Sequence, residues 1–332
     1  MKNYVAANLL LVMLSSLSAV LIALSLFIGP VDIGIGETLS GLFTDNGAIS
    51  AIVREIRLPR ALAAWLAGAC LGAAGAGLQG LLRNPLADPG VLGVSAAAAL
   101  GAVVAIYFNI AAFAFWVTPF AAILFATIAT SILYVLGAGR VSTARLILIG
   151  VGISSLSGAL ISLAMNLAPN PFALSDLMNW LFGTVSNRSF RDIFLVMPFA
   201  AIGLCLLLVS GPGLSALTLG EETAASIGAN LKRTRLFVIG GASALVGASV
   251  AIAGAIGFVG IVAPHIVRAF SGHNPAWVIL PSALLGGAIL TGADLLIRIL
   301  PFDQELKLGV AAALIGAPGF VWVAITSKRI AS

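Results

Sequence analysis

A few ionisable residues stand at the ends of the long apolar runs of this sequence, and they raise the first question about its chemistry. Asp294 lies four residues before Arg298, the spacing of an ion pair on one helix face. A carboxylate in an apolar run is also the group that a proton- or sodium-coupled transporter would use. Because Arg298 stands at the helical pairing distance, we expect a local ion pair here rather than a coupling acid.

The remaining polar residues show no pattern typical of catalysis. His265 and His273 are the two histidines, and neither has an acid nearby in the sequence, so no metal-ligand cluster is expected. A P-loop closes a glycine-rich turn with Gly-Lys. None of the lysines follows a glycine: Lys2, Lys232, Lys307 and Lys328. We expect no catalytic residue, no metal site and no cofactor in this chain, and any ATP and Mg would be bound by another subunit.

Two arginines flank a Leu-Pro step in "RLPR" (57–60), at the beginning of a long apolar run. Pro59 predicts a helix start, which would place Arg60 in the first turn. A cation there faces the positive end of the helix dipole, at a cost of about 0.3–1 kcal/mol. The position of Arg57 and Arg60 therefore needs an explanation from outside their own helix.

The composition predicts an all-α polytopic membrane protein. Sixty percent of the 332 residues are hydrophobic and 9% are charged, with a mean hydropathy of +1.13. A bilayer-spanning helix needs roughly 20 apolar residues. The charge-free runs are 3–31, 61–82, 89–139, 146–175, 193–220, 236–267, 269–293 and 308–327. If 89–139 and 236–267 each count twice, the chain has ten spans in a single domain, 1–332.

The basic residues predict the orientation of these spans. Lys2 stands at one end of the chain, and Lys328 and Arg329 stand at the other, so both termini are expected in the cytoplasm. Arg57, Arg60 and Arg298 then lie outside, against the usual bias. The net charge of +5 reflects cytoplasmic loops and requires no nucleic acid.

A short segment between two spans, about 217–231, has the features of a cytoplasmic docking element. "LGEETAASIGAN" (219–230) begins with Gly220 and places Glu221 and Glu222 where a helix start favours acids. Small residues follow, and Gly228 can end the helix. The residues alone leave open whether this is a helix that inserts into another protein or a plain structured loop.

Four blocks carry a family resemblance: "RLPRALAAWLAGACLGAAGAGLQGLLRNPLADPGVLGVS" (57–95), "LGEETAASIGAN" (219–230), "GAIGFVGIVAPHIVR" (254–268) and "LKLGVAAALIGAPGFVW" (306–322). In this order they resemble the FecCD family, the membrane permeases of ABC importers for iron chelates (siderophores), haem and cobalamin. The resemblance covers nearly the whole chain and implies a type II importer fold of ten helices in the inner (plasma) membrane, surrounded by lipid.

The resemblance also implies partners and site residues. A second permease subunit, usually an identical one, would pair across a two-fold axis; two ATPase subunits would dock in the cytoplasm, and a periplasmic binding protein would deliver the chelate. The residues that match the family's docking arginines are Arg57, Arg60 and Arg298. Those that match its coupling helix are Glu221, Glu222, Thr223, Ala224, Ala225, Ser226, Ile227 and Gly228.

Two further sets follow from the same resemblance. The cytoplasmic gate is assigned to Asn84, Leu86, Ser142 and Thr143, although a simple turn remains the alternative for "RNPLADPG" (83–90). The pathway lining is assigned to Ser154, Ser155, Ser162, Met165 and Asn166, and 173–183 matches a short helix at the outer mouth. No residue selects among iron-siderophore, haem and cobalamin. The alternative function is an ion-coupled secondary transporter of a small solute.

Overall fold

Helices and their connections make up all of the chain that the computed structural model describes, which is residues 2–45, 47–136, 143–271, 274–300 and 305–327. The first α-helices in chain order are α1 (Lys2–Phe27), α2 (Ile35–Phe43), α3 (Ala48–Ala51), α4 (Leu58–Leu82), α5 (Val94–Tyr107), α6 (Val117–Leu136), α7 (Thr143–Asn166) and α8 (Pro171–Leu181). They are followed by α9 (Phe190–Val209), α10 (Gly211–Leu217), α11 (Glu221–Ser226), α12 (Leu231–Ala253), α13 (Val259–Ser271), α14 (Pro275–Ile299) and α15 (Leu308–Ser327).

The lengths of these helices confirm an all-α polytopic membrane protein. Within the described ranges, seven helices are long and apolar enough to cross a membrane: Asn8–Phe27, Ala48–Leu82, Val117–Leu136, Arg145–Asn166, Phe190–Val209, Leu231–Ala253 and Pro275–Ile299. Three shorter apolar helices are Val94–Tyr107, Val259–Phe270 and Leu308–Gly319. The runs 89–139 and 236–267 each divide into two helices, as expected, while the total of ten spans stays a prediction.

Helix α4 forms the centre of the bundle and is buried along almost its whole length. It runs antiparallel to α14, and a methyl group added at Gly68 would overlap the carbonyl of Gly286, as one at Gly72 would overlap the carbonyl of Ser282. Lipid supplies no hydrophobic force between helices, so small residues that admit close backbone contact are what hold such a pair together. These glycines fix the register of α4 on α14.

With this register, polar residues lie at two opposite ends of the bundle. Arg60 in the first turn of α4 bonds to Asp294 near the end of α14. The far end of α4 meets the start of α14, where a Cβ on Gly80 would contact Pro275. We call the first end the arginine end (Arg57, Arg60, Asp294, Arg298 and Glu305). The second is the loop end, formed by residues 79–93 and 211–235.

The α-helix α4 begins at Leu58 with Pro59 in its first turn, as expected, but this is not the beginning of the whole helical segment. The helix is continuous from Ala48 to Leu82, and its π-helical stretch Ile52–Arg57 passes directly into α4. Proline has no N–H to donate to a preceding carbonyl, and a π turn is one way for a helix to absorb such an irregularity. Arg57 and Arg60 therefore lie inside a long helix, not at its exposed beginning.

Candidate functional sites at the two ends of the bundle

At the arginine end, Arg57 closes the end of a different helix. Its Nη1 donates to the carbonyl of Leu26 at 2.7 Å, in the last turn of α1, and its Nη2 donates to the carbonyl of Val31. The last carbonyls of a helix have no partner within it, and a cation is favourable at that negative end. Arg57 is buried, with 3% of its surface exposed.

Arg298 bonds to the same end of α1. Its Nη1 donates to the carbonyl of Ser25 at 3.1 Å and to that of Ile28 at 2.8 Å, while Nη2 donates to the Ser25 hydroxyl. Arg54 caps α2 in a similar way through the carbonyl of Leu42 at 3.0 Å. Three arginines thus satisfy carbonyls at the carboxyl ends of α1 and α2. For Arg57, this contact explains its position from outside its own helix, as the sequence required.

Arg60 is bound by two carboxylates. Its Nε donates to both oxygens of Asp294 at 3.1 Å, and its Nη2 donates to Asp294 Oδ1 at 2.7 Å. The same Nη2 also bonds to Glu305. Charge-assisted contacts with this two-point geometry are the stronger kind, and they join α4, α14 and the segment before α15.

Asp294 also forms the ion pair predicted for it within α14. Its Oδ2 lies 2.8 Å from Arg298 Nη2, and the residue is 1% exposed. Two guanidinium groups therefore hold one buried carboxylate. The structure confirms the pair and extends it to Arg60, more than 230 residues away in sequence.

Glu305, absent from the site residues expected from the sequence, is the accessible member of this cluster. Its side chain is 40% exposed, and its Oε2 accepts from the Ser186 hydroxyl at 3.0 Å. Partial burial raises the pKa of Glu305, but the hydrogen bond and charge of Arg60, with Ser186 and Arg298, bring it below the ordinary 4.5. The sequence shows an acid between the last two apolar runs, but no signal names its partner.

The arginine end thus gathers the three arginines that the resemblance assigns to docking. Arg57, Arg60 and Arg298 lie together, and each guanidinium bonds to oxygen atoms of this same chain. Their contact with a binding protein stays a prediction. What the sequence could not show is that they also hold α1, α4 and α14 together.

At the loop end, the predicted short helix is present as α11. Glycines in the left-handed region bound it, Gly220 with φ +98° and Gly228 with φ +86°, a conformation that costs glycine little. Ala224 is buried and the other residues of α11 are exposed. Glu221 pairs with Arg235 at 2.8 Å, with 45% of the Glu221 side chain exposed. The helix is confirmed, and its role in coupling stays a prediction.

Gln79 bonds to the loop that contains two of the predicted gate residues, Asn84 and Leu86. Its Nε2 donates to the carbonyls of Ala87 at 3.2 Å and Gly260 at 3.1 Å, and its Oε1 accepts from Arg268. Burial raises the pKa of Asp88 in this loop, although the Gly90 N–H that it accepts lowers it. The loop is therefore bonded to α13 through a side chain that the sequence gave no reason to select.

The structure describes only some of the four predicted gate residues. Asn84 Oδ1 accepts from the Leu86 N–H at 2.9 Å, which is the geometry of a turn. Ser142 lies outside the described residues, and Thr143 begins α7 without a described side chain. The gate stays a prediction for all four positions.

The predicted lining residues of α7 separate into two groups. Ser154 donates to the carbonyl of Gly90 at 3.1 Å, so it ties α7 to the segment after α4, and Met165 is half-buried. Ser155, Ser162 and Asn166 are exposed. Their spacings of seven and eleven residues place them on one face of the helix.

Two cavities flank α8, which corresponds to the short helix expected at 173–183. One, of about 660 Å³, is lined by Tyr107, Asp176 and Trp180 among others. The other, of about 510 Å³, lies between α8 and α15 and includes Met178, Phe182 and Glu305. Among the described residues, no group of three or more His, Cys, Asp or Glu could hold a metal ion.

Comparison with known proteins places this architecture among transport permeases. The model of the FecCD transport family matches residues 17–326. The chain is 34% identical to the Fe(3+)-citrate import system permease protein of Bacillus subtilis (strain 168), over 93% of this chain and 92% of that one. It is 40% identical to the vitamin B12 import system permease protein of Vibrio cholerae serotype O1 (strain ATCC 39315 / El Tor Inaba N16961), over 82% of each.

A solved structure shows the same fold. The chain is similar, with a TM-score of 0.83 and 29% identity, to an ABC transporter of the metal-chelate type in an inward-facing conformation. The match covers 95% of this chain and 98% of that one. The helix order described above is therefore shared across nearly the whole length of both chains.

Proposed function

The chain belongs to the FecCD transport family, and we propose that it is the permease subunit of an ATP-driven importer of a metal chelate. The observation that carries the proposal is the pairing of this family match with the exposed helix α11, which is bounded by two glycines in the left-handed region. An importer whose motor is a separate protein needs such a surface. The ATPase subunits bind ATP and Mg, and this chain moves the chelate by alternating access.

The loop end is the ATPase side in this proposal, facing the cytoplasm. Lys232, Arg233 and Arg235 follow α11 directly, in keeping with the excess of cations on cytoplasmic loops. The exposed residues Glu222, Ala225 and Ile227 would contact the partner, with Ala224 packed into the permease. Motion of an ATPase subunit would then reach α12 through residues 227–231.

The arginine end is the delivery side, in the periplasm of an inner-membrane transporter. Because Arg57 and Arg60 are buried and bonded, reversing their charges would disturb the fold as well as any docking surface. The exposed neighbour Ile56, 58% exposed, is therefore a better place from which to detect a binding protein than the arginines themselves.

Helix α7 faces the pathway and a second, identical permease subunit. Ser155, Ser162 and Asn166 would be poorly placed against lipid, because polar side chains in a membrane are favourable toward a water-filled cavity or another polar group. A face with hydroxyls and an amide but no fixed charge suits the passage of a bulky chelate without tight binding. The metal enters and leaves as part of the cargo.

Uptake by reconstituted transporter tests this proposal. Liposomes carrying the chain with its ATPase subunits and binding protein are supplied with labelled ferric siderophore, haem or cobalamin. We expect ATP-dependent uptake of one of these, lost when the binding protein is omitted. Accumulation by this chain alone, driven by a proton or sodium gradient, would overturn the proposal in favour of an ion-coupled secondary transporter.

A further inference from the structure

Arg60 has two carboxylate partners, of which one is buried and the other is accessible to solvent. Asp294 is 1% exposed and contacts Arg60 at three donor–acceptor distances of 2.7–3.1 Å. Glu305 contacts the same guanidinium from a side chain that is 40% exposed. The Arg60 side chain is 11% exposed, so solvent reaches this pair from the Glu305 side, and Glu305 is the partner that another carboxylate can replace.

Glu305 also connects Arg60 to the outer mouth. While one of its oxygens accepts from Arg60, the other accepts from the Ser186 hydroxyl at 3.0 Å. Ser186 belongs to the segment that follows α8. One side chain therefore bridges the central helix α4 and the connection between α8 and α9.

The residues next to Glu305 hold α15 against α8. The N–H of Gly309 donates to the carbonyl of Phe182 at 3.1 Å, and a Cβ on Gly309 would overlap that carbonyl. Glu305, Phe182 and Met178 line the cavity of about 510 Å³ between the two helices. A displacement of Glu305 would therefore weaken the nearby contact between Gly309 and Phe182, which borders this cavity.

We propose that Glu305 is a positioning residue that occupies Arg60 until a carboxylate of the incoming binding protein takes its place, and that its release loosens α15 from α8. The inference rests on the proposed function, because it requires an acidic partner at the arginine end. A carboxylate of a partner protein can supply Arg60 with the oxygen acceptor that Glu305 Oε1 now supplies, and the mouth then opens when a partner is bound.

Spin-label distances on the chain alone test the coupling of Glu305 to the mouth. Labels at Met178→Cys on α8 and Leu314→Cys on α15 use two exposed positions, with the exposed Cys205 replaced by serine. We expect Glu305→Gln to broaden the distance distribution, and Ser186→Ala to broaden it as well. Asp176→Asn, which removes an exposed acid of α8, should leave it unchanged. Equal distributions in Glu305→Gln and the parent would overturn the proposal.

A carboxylate probe tests the exchange at Arg60. Tetraglutamate added to the parent chain should broaden the same distance distribution. In Ser186→Ala, Glu305 has lost one contact, so half of the effect should be reached at a tetraglutamate concentration about two- to fivefold lower than in the parent. Glu305→Gln should show no further response. A response of Glu305→Gln equal to that of the parent would contradict the exchange.

Binding-protein affinity separates this proposal from the proposed function. Glu305→Gln removes the internal competitor, so we expect binding about two- to fivefold tighter than to the parent, whereas a purely structural Glu305 would give weaker binding. No binding of the parent chain would count against the proposed function, and the distances measured without a partner would still decide the role of Glu305.

Discussion

At the arginine end a buried carboxylate, Asp294, is bonded to the buried Arg60 and to Arg298, whereas α11 at the loop end carries its charges on an exposed surface. Asp294 is 1% exposed between two guanidinium groups. Glu221, in the exposed pair at the loop end, has 45% of its side chain accessible. The difference indicates that charge at the first end holds helices together, while charge at the second remains available to a partner.

The physical basis is the cost of burying a charge. A buried ion whose partner is removed is left without water and without compensation, while an exposed ion that loses its partner is solvated at once. Equivalent substitutions should therefore have unequal effects at the two ends, and the following predictions are arranged from the largest effect to the smallest.

The largest effect is expected for Asp294→Asn. The amide keeps the shape of the side chain but removes the carboxylate that Arg298 pairs with and leaves Arg60 with the partly exposed Glu305 alone, at a cost of about 3–5 kcal/mol. The midpoint of thermal unfolding in detergent measures it. Asp176→Asn, a loss of an exposed acid on α8, is the matched control and should melt like the parent. Equal unfolding midpoints for the two variants would contradict the claim that loss of a buried charge costs more than loss of an exposed one.

A smaller and local effect is expected for Gly220→Ala at the loop end. No atom lies within 4 Å of the added methyl, so the cost is backbone strain at φ +98°, about 1–3 kcal/mol. We expect uptake per ATP hydrolysed to fall while the unfolding midpoint changes little, because α11 is displaced and the bundle is not.

Gly240→Ala in α12 is the control for that prediction. Its surroundings are equally open, but its backbone is helical, so both uptake and unfolding should stay at the parent's values. A loss of uptake in Gly240→Ala as large as that in Gly220→Ala would show that α11 geometry is not the cause.

Glu221→Gln should change stability by less than about 1 kcal/mol. The pair with Arg235 lies at the surface, where salt screens it. Unfolding midpoints at low and high ionic strength measure both points, and the small difference from the parent should vanish in high salt. A loss as large as that of Asp294→Asn would mean that α11 is held as firmly as the arginine end.

The pH dependence of Glu305 is expected to be the smallest effect. Its pKa in the folded chain lies below 4.5, so its contribution is fully present above pH 4.5 and is lost as the pH falls through the folded value. Arg60, Arg298 and Ser186 face it, with Asp294 bonded to the same guanidinium. The difference in unfolding midpoint between parent and Glu305→Gln should therefore disappear below that pH. A constant difference across the range would exclude the ion pair as its source.

How far the sequence predicted each contact of this structure depends on how far apart the two partners lie along the chain. Local signals were sufficient for α11, because Gly220 and Gly228 bound it, and for the i,i+4 pair of Asp294 and Arg298. Charge-free runs identified the apolar helices. The division of 236–267 followed from its glycines, where α12 ends at Ala253 and α13 begins at Val259.

What the sequence could not predict lies in contacts between distant residues. Arg57 caps a helix that ends 30 residues earlier, and Arg60 bonds to carboxylates 234 and 245 residues away. No periodicity marks such partners. The π-helical stretch before Pro59 was missed for another reason: proline is a common first residue of a helix, and the longer helix around it depends on packing.

Crosslinking to identify the partner at each end tests the division of roles most directly. In the assembled transporter with Cys205→Ser, a single cysteine is placed at Ala225 in α11 or at Ile56 at the arginine end. Ala225→Cys should crosslink to an ATPase subunit alone, and Ile56→Cys to the binding protein alone. Crosslinks from Ile56→Cys to the ATPase, or from Ala225→Cys to the binding protein, would contradict the assignment of the two ends.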